Sequence, residues 1–444
     1  MTAQRRDTLR AILDAALHAV APDKAIHRHV AVTGSIMNIS GVEYDLDAFE
    51  RIFVVGAGKG AAPMAATLEA MLGDRITEGA VCVKYGHTVP TRTVSIYEGA
   101  HPVPDANGEQ AARAILRIAE KATEKDLVLC VITGGASALT PALVEGISLE
   151  DGKAATALLL ECGATIHEIN AIRKHLSIFG SGNLARAASP ARLAALIISD
   201  VVGDNLDVIA SGPTSPDSST FSQCMEIVER YGIRDRMPAN ILARLEAGAR
   251  GEIPETPKQG DHVFSTVQNV LVATNLQALE AAAAAALQAG YTPRILTSTM
   301  TGEARDKARE LVDTAMNLCL DGKEVSGPVC LLAGGETTVT ITGKGLGGRN
   351  QEMALAASLY LQDCEHITML CAGTDGSDGP TDAAGGFACS KTVEKALCCA
   401  LDPQVYLDDN NAYNFLDKTD NLLKTGPTLT NVMDLALVLV DCPR

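Results

Sequence analysis

Arg51-Ile52-Phe53-Val54-Val55-Gly56-Ala57-Gly58-Lys59-Gly60 is the stretch that decides the fold class. Ile52 to Val55 run apolar without alternation, so both faces of that strand need cover. This is the pattern of a parallel sheet sandwiched between helices. The run breaks into glycines, and an Ala- and Leu-rich helix is predicted over Ala61 to Leu72. The same strand-into-loop pattern returns twice. Leu127 to Ile132 opens into Thr133-Gly134-Gly135-Ala136-Ser137, and Leu193 to Ile198 ends at Ser199-Asp200. Gly79 to Lys84 and Thr93 to Glu98 read as further strands, with helices over about 108–122 and 149–174. In such sheets ligands bind at the carboxyl ends of the strands.

A second α/β unit is expected to begin with a strand at Asn269 to Ala273, after a boundary between Tyr231 and Gly260 marked by Pro238, Pro254 and Pro257. Its predicted strands are Thr292 to Leu296, Pro328 to Leu332, Thr337 to Ile341, Ile367 to Cys371 and Leu435 to Val440. Leu9, Ile12, Leu13, Ala16 and Leu17 recur at helical spacing near the N-terminus, which predicts an amphipathic surface helix.

The composition narrows the function. The 444 residues carry a formal net charge of −17, which argues against a nucleic-acid surface. Aromatic residues make up 3% and Trp is absent, so stacking platforms are not expected. No apolar run approaches a membrane span. Twelve cysteines without any C-x-x-C suggest free thiols in a reducing, cytoplasmic setting.

Six constellations could carry chemistry. Gly56, Gly58 and Lys59 form a loop whose following helix offers N–H groups to an anion; a plain turn is the alternative. Gly134, Gly135 and Ser137 suit a phosphate or hydroxyl, or Ser137 caps the next helix; a nucleophile is disfavoured because the flanks are not G-x-S-x-G. Asn170, Arg173 and Lys174 share a helical face fit for an anion, or for solvent. Asp200 and Asp204, leading to Ser211 and Gly212, could supply a base, a ligand to a hard cation and phosphate donors. Gly343 to Gly348 precede Arg349, which can grip two oxygens at once, with Glu336 facing the same site and Lys344 near it; a flexible hairpin tip is the alternative. Asp375 lies in an Asp- and Gly-rich stretch over 373–382 that could bind Mg²⁺ or a hydroxyl, or be a turn.

These motifs, together with His101-Pro102-Val103-Pro104-Asp105, Lys174-His175-Leu176-Ser177 and Thr425-Gly426-Pro427-Thr428, resemble glycerate kinases that carry the MOFRL domain. The resemblance runs over nearly the whole chain. It implies a Rossmann-like α/β domain over 1–240, a smaller mixed α/β MOFRL-type domain over 241–444 and a cleft between them. It also implies transfer of the γ-phosphoryl group of ATP to D-glycerate, usually at the 2-hydroxyl, with Mg²⁺. Lys59 and Arg349 match the family's essential cations, and Asp200 is the candidate base or metal ligand. Gly56, Gly58, Gly134, Gly135, Ser137, Asn170, Arg173, Ser211, Gly212, Glu336 and Gly348 are candidates to hold substrate or nucleotide. Asp204 and Asp375 are candidate metal ligands. Small molecules are the expected partners, and a homodimer is left open. Relatives usually carry a Lys where this chain has Gly180, within Ile178-Phe179-Gly180-Ser181-Gly182. The rival activity is NAD(P)H-dependent reduction of hydroxypyruvate; a sugar-acid sensor is a third reading. The acid expected after the second strand of a dinucleotide site is missing, since that strand ends in Lys84.

Overall fold

The structure, a computed structural model, describes residues 2–321 and 327–441. The chain forms two compact units. One comprises 26–198 and 205–272; the other comprises 1–25, 199–204 and 273–444.

The first unit opens with an antiparallel meander, β1 (Val30–Thr33), β2 (Ile36–Ile39) and β3 (Val42–Asp45). A six-stranded sheet follows, from β4 (Arg51–Ala57), β5 (Ile76–Lys84), β6 (Val94–Gly99), β7 (Asp126–Ile132), β8 (Arg192–Ile198) and β9 (Val267–Ala273). Its spatial order is β6-β5-β4-β7-β8-β9, the 3-2-1-4-5-6 order of a Rossmann sheet. Every residue of β7 is buried, which explains its unbroken apolar run. Its one charge, Asp126, is neutralised by Arg51 at 2.6 Å and accepts from the Thr123 hydroxyl at 2.8 Å.

Helices Leu149–Glu161, Ile166–Leu176, Phe221–Arg230 and Ala239–Ala249 bury a separate apolar cluster that includes Leu159, Ile172, Phe221, Ile241 and Leu245. This packing holds the proline-marked stretch inside the first unit, so the compact units do not divide at residue 240. β9 likewise belongs to the first sheet and does not open the second unit. The Thr266 carbonyl accepts from Leu193 at 3.0 Å, which pairs β9 with β8.

The second unit has a mixed sheet of β10 (Thr292–Met300), β11 (Val329–Gly335), β12 (Ile367–Gly373), β13 (Gly385–Cys389), β14 (Leu422–Leu423) and β15 (Asp434–Val440). The order is β10-β11-β15-β12-β13-β14. β15 runs antiparallel to both β11 and β12. The N-terminal helix Ala3–Ala19 buries Leu9, Ile12, Leu13 and Ala16, as its spacing predicts, and packs on helix Asn275–Gln288 of the same unit. Thr337 to Ile341 is not a strand. It makes one isolated bridge, Glu303 with Thr338, while the Thr338 and Thr340 hydroxyls bond the Glu303 carboxylate. A carboxylate has replaced the ladder partner.

Candidate active site

In the Rossmann sheet the strand order reverses between β4 and β7, the place where such sheets bind ligands. The loops holding Lys59 and Ser137 leave from these two strands. The loop N–H groups, however, are not free to cradle an anion. Gly58 donates to Cys82 O, Lys59 to Gly134 O (both 3.0 Å) and Gly60 to Thr133 Oγ1 (2.9 Å). The helix that follows begins Ala61-Ala62-Pro63, and Pro63 has no N–H. Gly56 and Gly58 have positive φ, and a Cβ on either would collide with Val131 or Thr133. These glycines therefore let β4 close against β7. What remains for chemistry is the Lys59 side chain, whose stem passes Gly135.

Ser137 does not cap its helix. The four-residue helix Ala136–Leu139 is capped by Gly135 in the left-handed region, and Ser137 Oγ lies 2.8 Å from Ser211 Oγ. Ser211 and Ala210 both have positive φ, 59° and 53°. Such residues cost roughly 1–2 kcal/mol each, a strain that surrounding structure must hold. Here the Ser211 and Gly212 carbonyls accept from Ser181 and Gly182 N–H at 2.7 Å.

The expected anion face on helix Ile166–Leu176 loses one member. Lys174 is buried and paired with Asp207 at 3.3 Å and Asp217 at 3.2 Å. Asn170 and Arg173 stay half-buried, and neither side chain has a partner among the described residues. Arg173, Ser137, Ser211 and Gly180 line one cavity of about 410 Å³, lying wholly in this unit.

In the second unit, Arg349 opens helix Arg349–Tyr360. Its Nε and Nη2 donate to the two oxygens of Asp434 at 2.6 and 3.1 Å, and its Nη1 donates to Glu336 Oε1 at 2.7 Å. Asp378, from the Asp- and Gly-rich stretch over 373–382, and Asp434, which is not among the sequence candidates, complete the cluster. Asn350 Nδ2 donates to both, and the Gln351 N–H donates to Asp378 at 2.8 Å. Gly348 is small because Asp378 lies against it. Burial pushes the Asp378 carboxyl up to about 7, helped by the charge of Asp434 and opposed by the Gln351 N–H and Arg349. Asp434 is also raised by burial, against the pull of Arg349. Burial works against the Arg349 charge, but Asp434 and Glu336 hold its guanidinium above the ordinary range. The preceding glycines are no loose hairpin tip: Gly345 donates to Asp409 O at 2.8 Å, and Thr342 to Asn410 Oδ1 at 2.7 Å. Lys344 is exposed and takes no part in the cluster.

Asp200 and Asp204 follow β8, and Asp204 has φ 55°. Its Oδ1 is buried with no hydrogen-bond partner among the described residues. Asp375 Oδ1 accepts from the Ser377 N–H and hydroxyl, both at 3.0 Å, which makes that loop a turn. Among the described residues, no three His, Cys, Asp or Glu gather into a metal site, no disulfide forms, and no helix is long and apolar enough to cross a membrane.

Comparison with known proteins gives the family. Residues 8–246 match a domain described as one of unknown function, DUF4147, and residues 329–434 match the MOFRL family. A Pyrococcus horikoshii protein named glycerate 2-kinase is 40% identical over 430 residues, covering 97% of this chain and 96% of that one. The chain belongs to the glycerate kinase family that carries a MOFRL domain. The crystal structure of a Thermotoga maritima glycerate kinase matches with a TM-score of 0.87 at 36% identity, over 99% of this chain and 100% of that one. An Agrobacterium vitis relative carries a hydroxypyruvate reductase name; it is 41% identical over 392 residues, 88% of this chain and 87% of the relative. In this chain Lys59 sits in the loop after the first Rossmann strand, and Arg349 heads a helix inside the MOFRL match.

Proposed function

We propose that this protein transfers the γ-phosphoryl group of ATP to the 2-hydroxyl of D-glycerate. The observation that carries the reading is the near end-to-end relation to a glycerate 2-kinase, with cations at Lys59 and Arg349. Phosphoryl transfer asks a protein mainly to position its substrates and neutralise charge. Lys59 serves a phosphate. Arg349, oriented by Asp434 and Glu336, serves a phosphate or the glycerate carboxylate. Asp200 orients the attacking hydroxyl and accepts its proton.

The residues after β8 fit Mg²⁺. This ion takes one or two carboxylates and fills its remaining sites with phosphate oxygens and water. Asp204, with its unpartnered buried oxygen, would hold it. When bound, it would neutralise charge on the β- and γ-phosphates. Asp375, occupied by its own turn, is the weaker candidate.

The reductase reading has less support. A dinucleotide pyrophosphate needs the N–H groups of the first β-to-α turn. Here the Gly58, Lys59 and Gly60 N–H groups are spent on Cys82, Gly134 and Thr133. β5 also ends in Lys84 instead of leading to an acid.

Glycerate-dependent ADP release tests the assignment. Arg349→Ala is expected to lower turnover about tenfold or more, as loss of a charge-stabilising group does. Near-normal turnover in a folded Arg349→Ala protein would remove this residue from the mechanism. Arg349→Lys, which keeps a charge beside Asp434, controls for collapse of the cluster.

A further inference from the structure

We propose that the cavity of about 410 Å³ in the Rossmann unit is the pocket for the purine nucleoside of ATP. The inference rests on the kinase reading above and assigns its larger substrate a place. Leu143, Leu149, Leu159, Leu160, Leu176 and Phe179 give the walls a strongly apolar part. D-glycerate has three carbons, each bearing oxygen, so it has no apolar face to set against them. A purine ring has two, and burying them from water is favourable.

The polar groups stand where a nucleotide would need them. Ser137 and Arg173 line the same cavity. Ser137 lies two residues beyond Gly135, in the loop whose Gly134 carbonyl accepts from the Lys59 N–H at 3.0 Å. A triphosphate tail leaving the cavity past Ser137 therefore runs toward Lys59 without leaving the unit. Arg173 has no partner among the described residues, and burial lowers its pKa. A guanidinium held in apolar surroundings without a counter-charge is costly. An incoming phosphate supplies that charge. The strained Ala210-Ser211 pair, with Ser211 tied to Ser181, fixes the wall beside Ser137 before any ligand arrives. Gly180 belongs to the same wall.

Two measurements test the pocket. Saturation of the protein methyl resonances, with AMP-PNP as probe, is expected to transfer most strongly to adenine H2 and H8. Thr156→Phe, on a half-buried lining residue, should abolish that transfer. In steady state it should raise KM for ATP at least tenfold and leave KM for D-glycerate within twofold. If Thr156→Phe does not fold, Leu160→Trp fills the cavity from a residue that is 63% exposed. Either folded variant with an unchanged KM for ATP, or with a raised KM for D-glycerate alone, overturns the proposal. Wild-type protein that releases no ADP in the presence of D-glycerate defeats the kinase reading. In that case the saturation transfer still decides whether the cavity takes the base.

Discussion

Arg349 is bound by two carboxylates before any substrate arrives, so its neighbours decide what it can still attract. Asp434 is 1% exposed and Asp378 is 4% exposed. With its pKa near 7, Asp378 is a proton-holding member of this cluster at mildly acid pH. The folded protein keeps that proton between about pH 4 and 7, where an unfolded Asp has lost it. Its contribution to stability therefore falls as pH rises across that window. Carboxyl-carbon NMR should show Asp378 titrating near pH 7, and higher in Arg349→Ala, where an opposing positive charge is gone. A midpoint near 4 would contradict the account. Lys174 makes the complementary case. Asp217 opposite it is fully buried yet lowered, because Lys174, the Ser219 N–H and Thr256 outweigh burial. That stabilisation is complete above about pH 4 and is lost as pH falls through the lower folded value. Lys174→Met should destabilise by about 3–5 kcal/mol in urea unfolding, the cost of stranding a buried carboxylate.

At the scale of elements, the glycine loops show what local sequence conveys. Gly56-Ala57-Gly58-Lys59 identifies a strand-to-helix turn, and the structure has one. It does not disclose that Thr133, more than 70 positions away, takes the Gly60 N–H. Gly58→Ala should therefore cost stability of about 1–3 kcal/mol, as overpacking does, because its Cβ would meet Thr133. Thermal unfolding reports that loss, and an unchanged transition would return the glycine to a ligand role. Asp434 escaped the sequence for a related reason. It precedes an apolar run and has no motif around it. Only the antiparallel register of β15 sets it abreast of Gly335 and Gly373, and so beside Arg349, 85 residues earlier. β9 was legible as a strand, but its apolar pattern could not say which sheet it joins. Gly385–Cys389 was missed because two glycines hide its strand character.

For the whole molecule, chain order and spatial order diverge, and this limits what a boundary in sequence can mean. The N-terminal helix and residues 199–204 belong with the second unit, while 205–272 return to the first. The Rossmann sheet was legible because buried parallel strands write continuous apolar runs. The division between units was not, because it depends on which helices share a core. The account as a whole requires phosphoryl transfer from ATP to the 2-hydroxyl of D-glycerate. The most direct test is ³¹P NMR, with proton coupling retained, of protein incubated with ATP, Mg²⁺ and D-glycerate. Attachment at the 2-hydroxyl predicts a new ester resonance split into a doublet by the single proton on that carbon, at the expense of the ATP γ-signal. An unchanged ATP spectrum, accompanied by NADH or NADPH consumption when hydroxypyruvate is supplied, would contradict it.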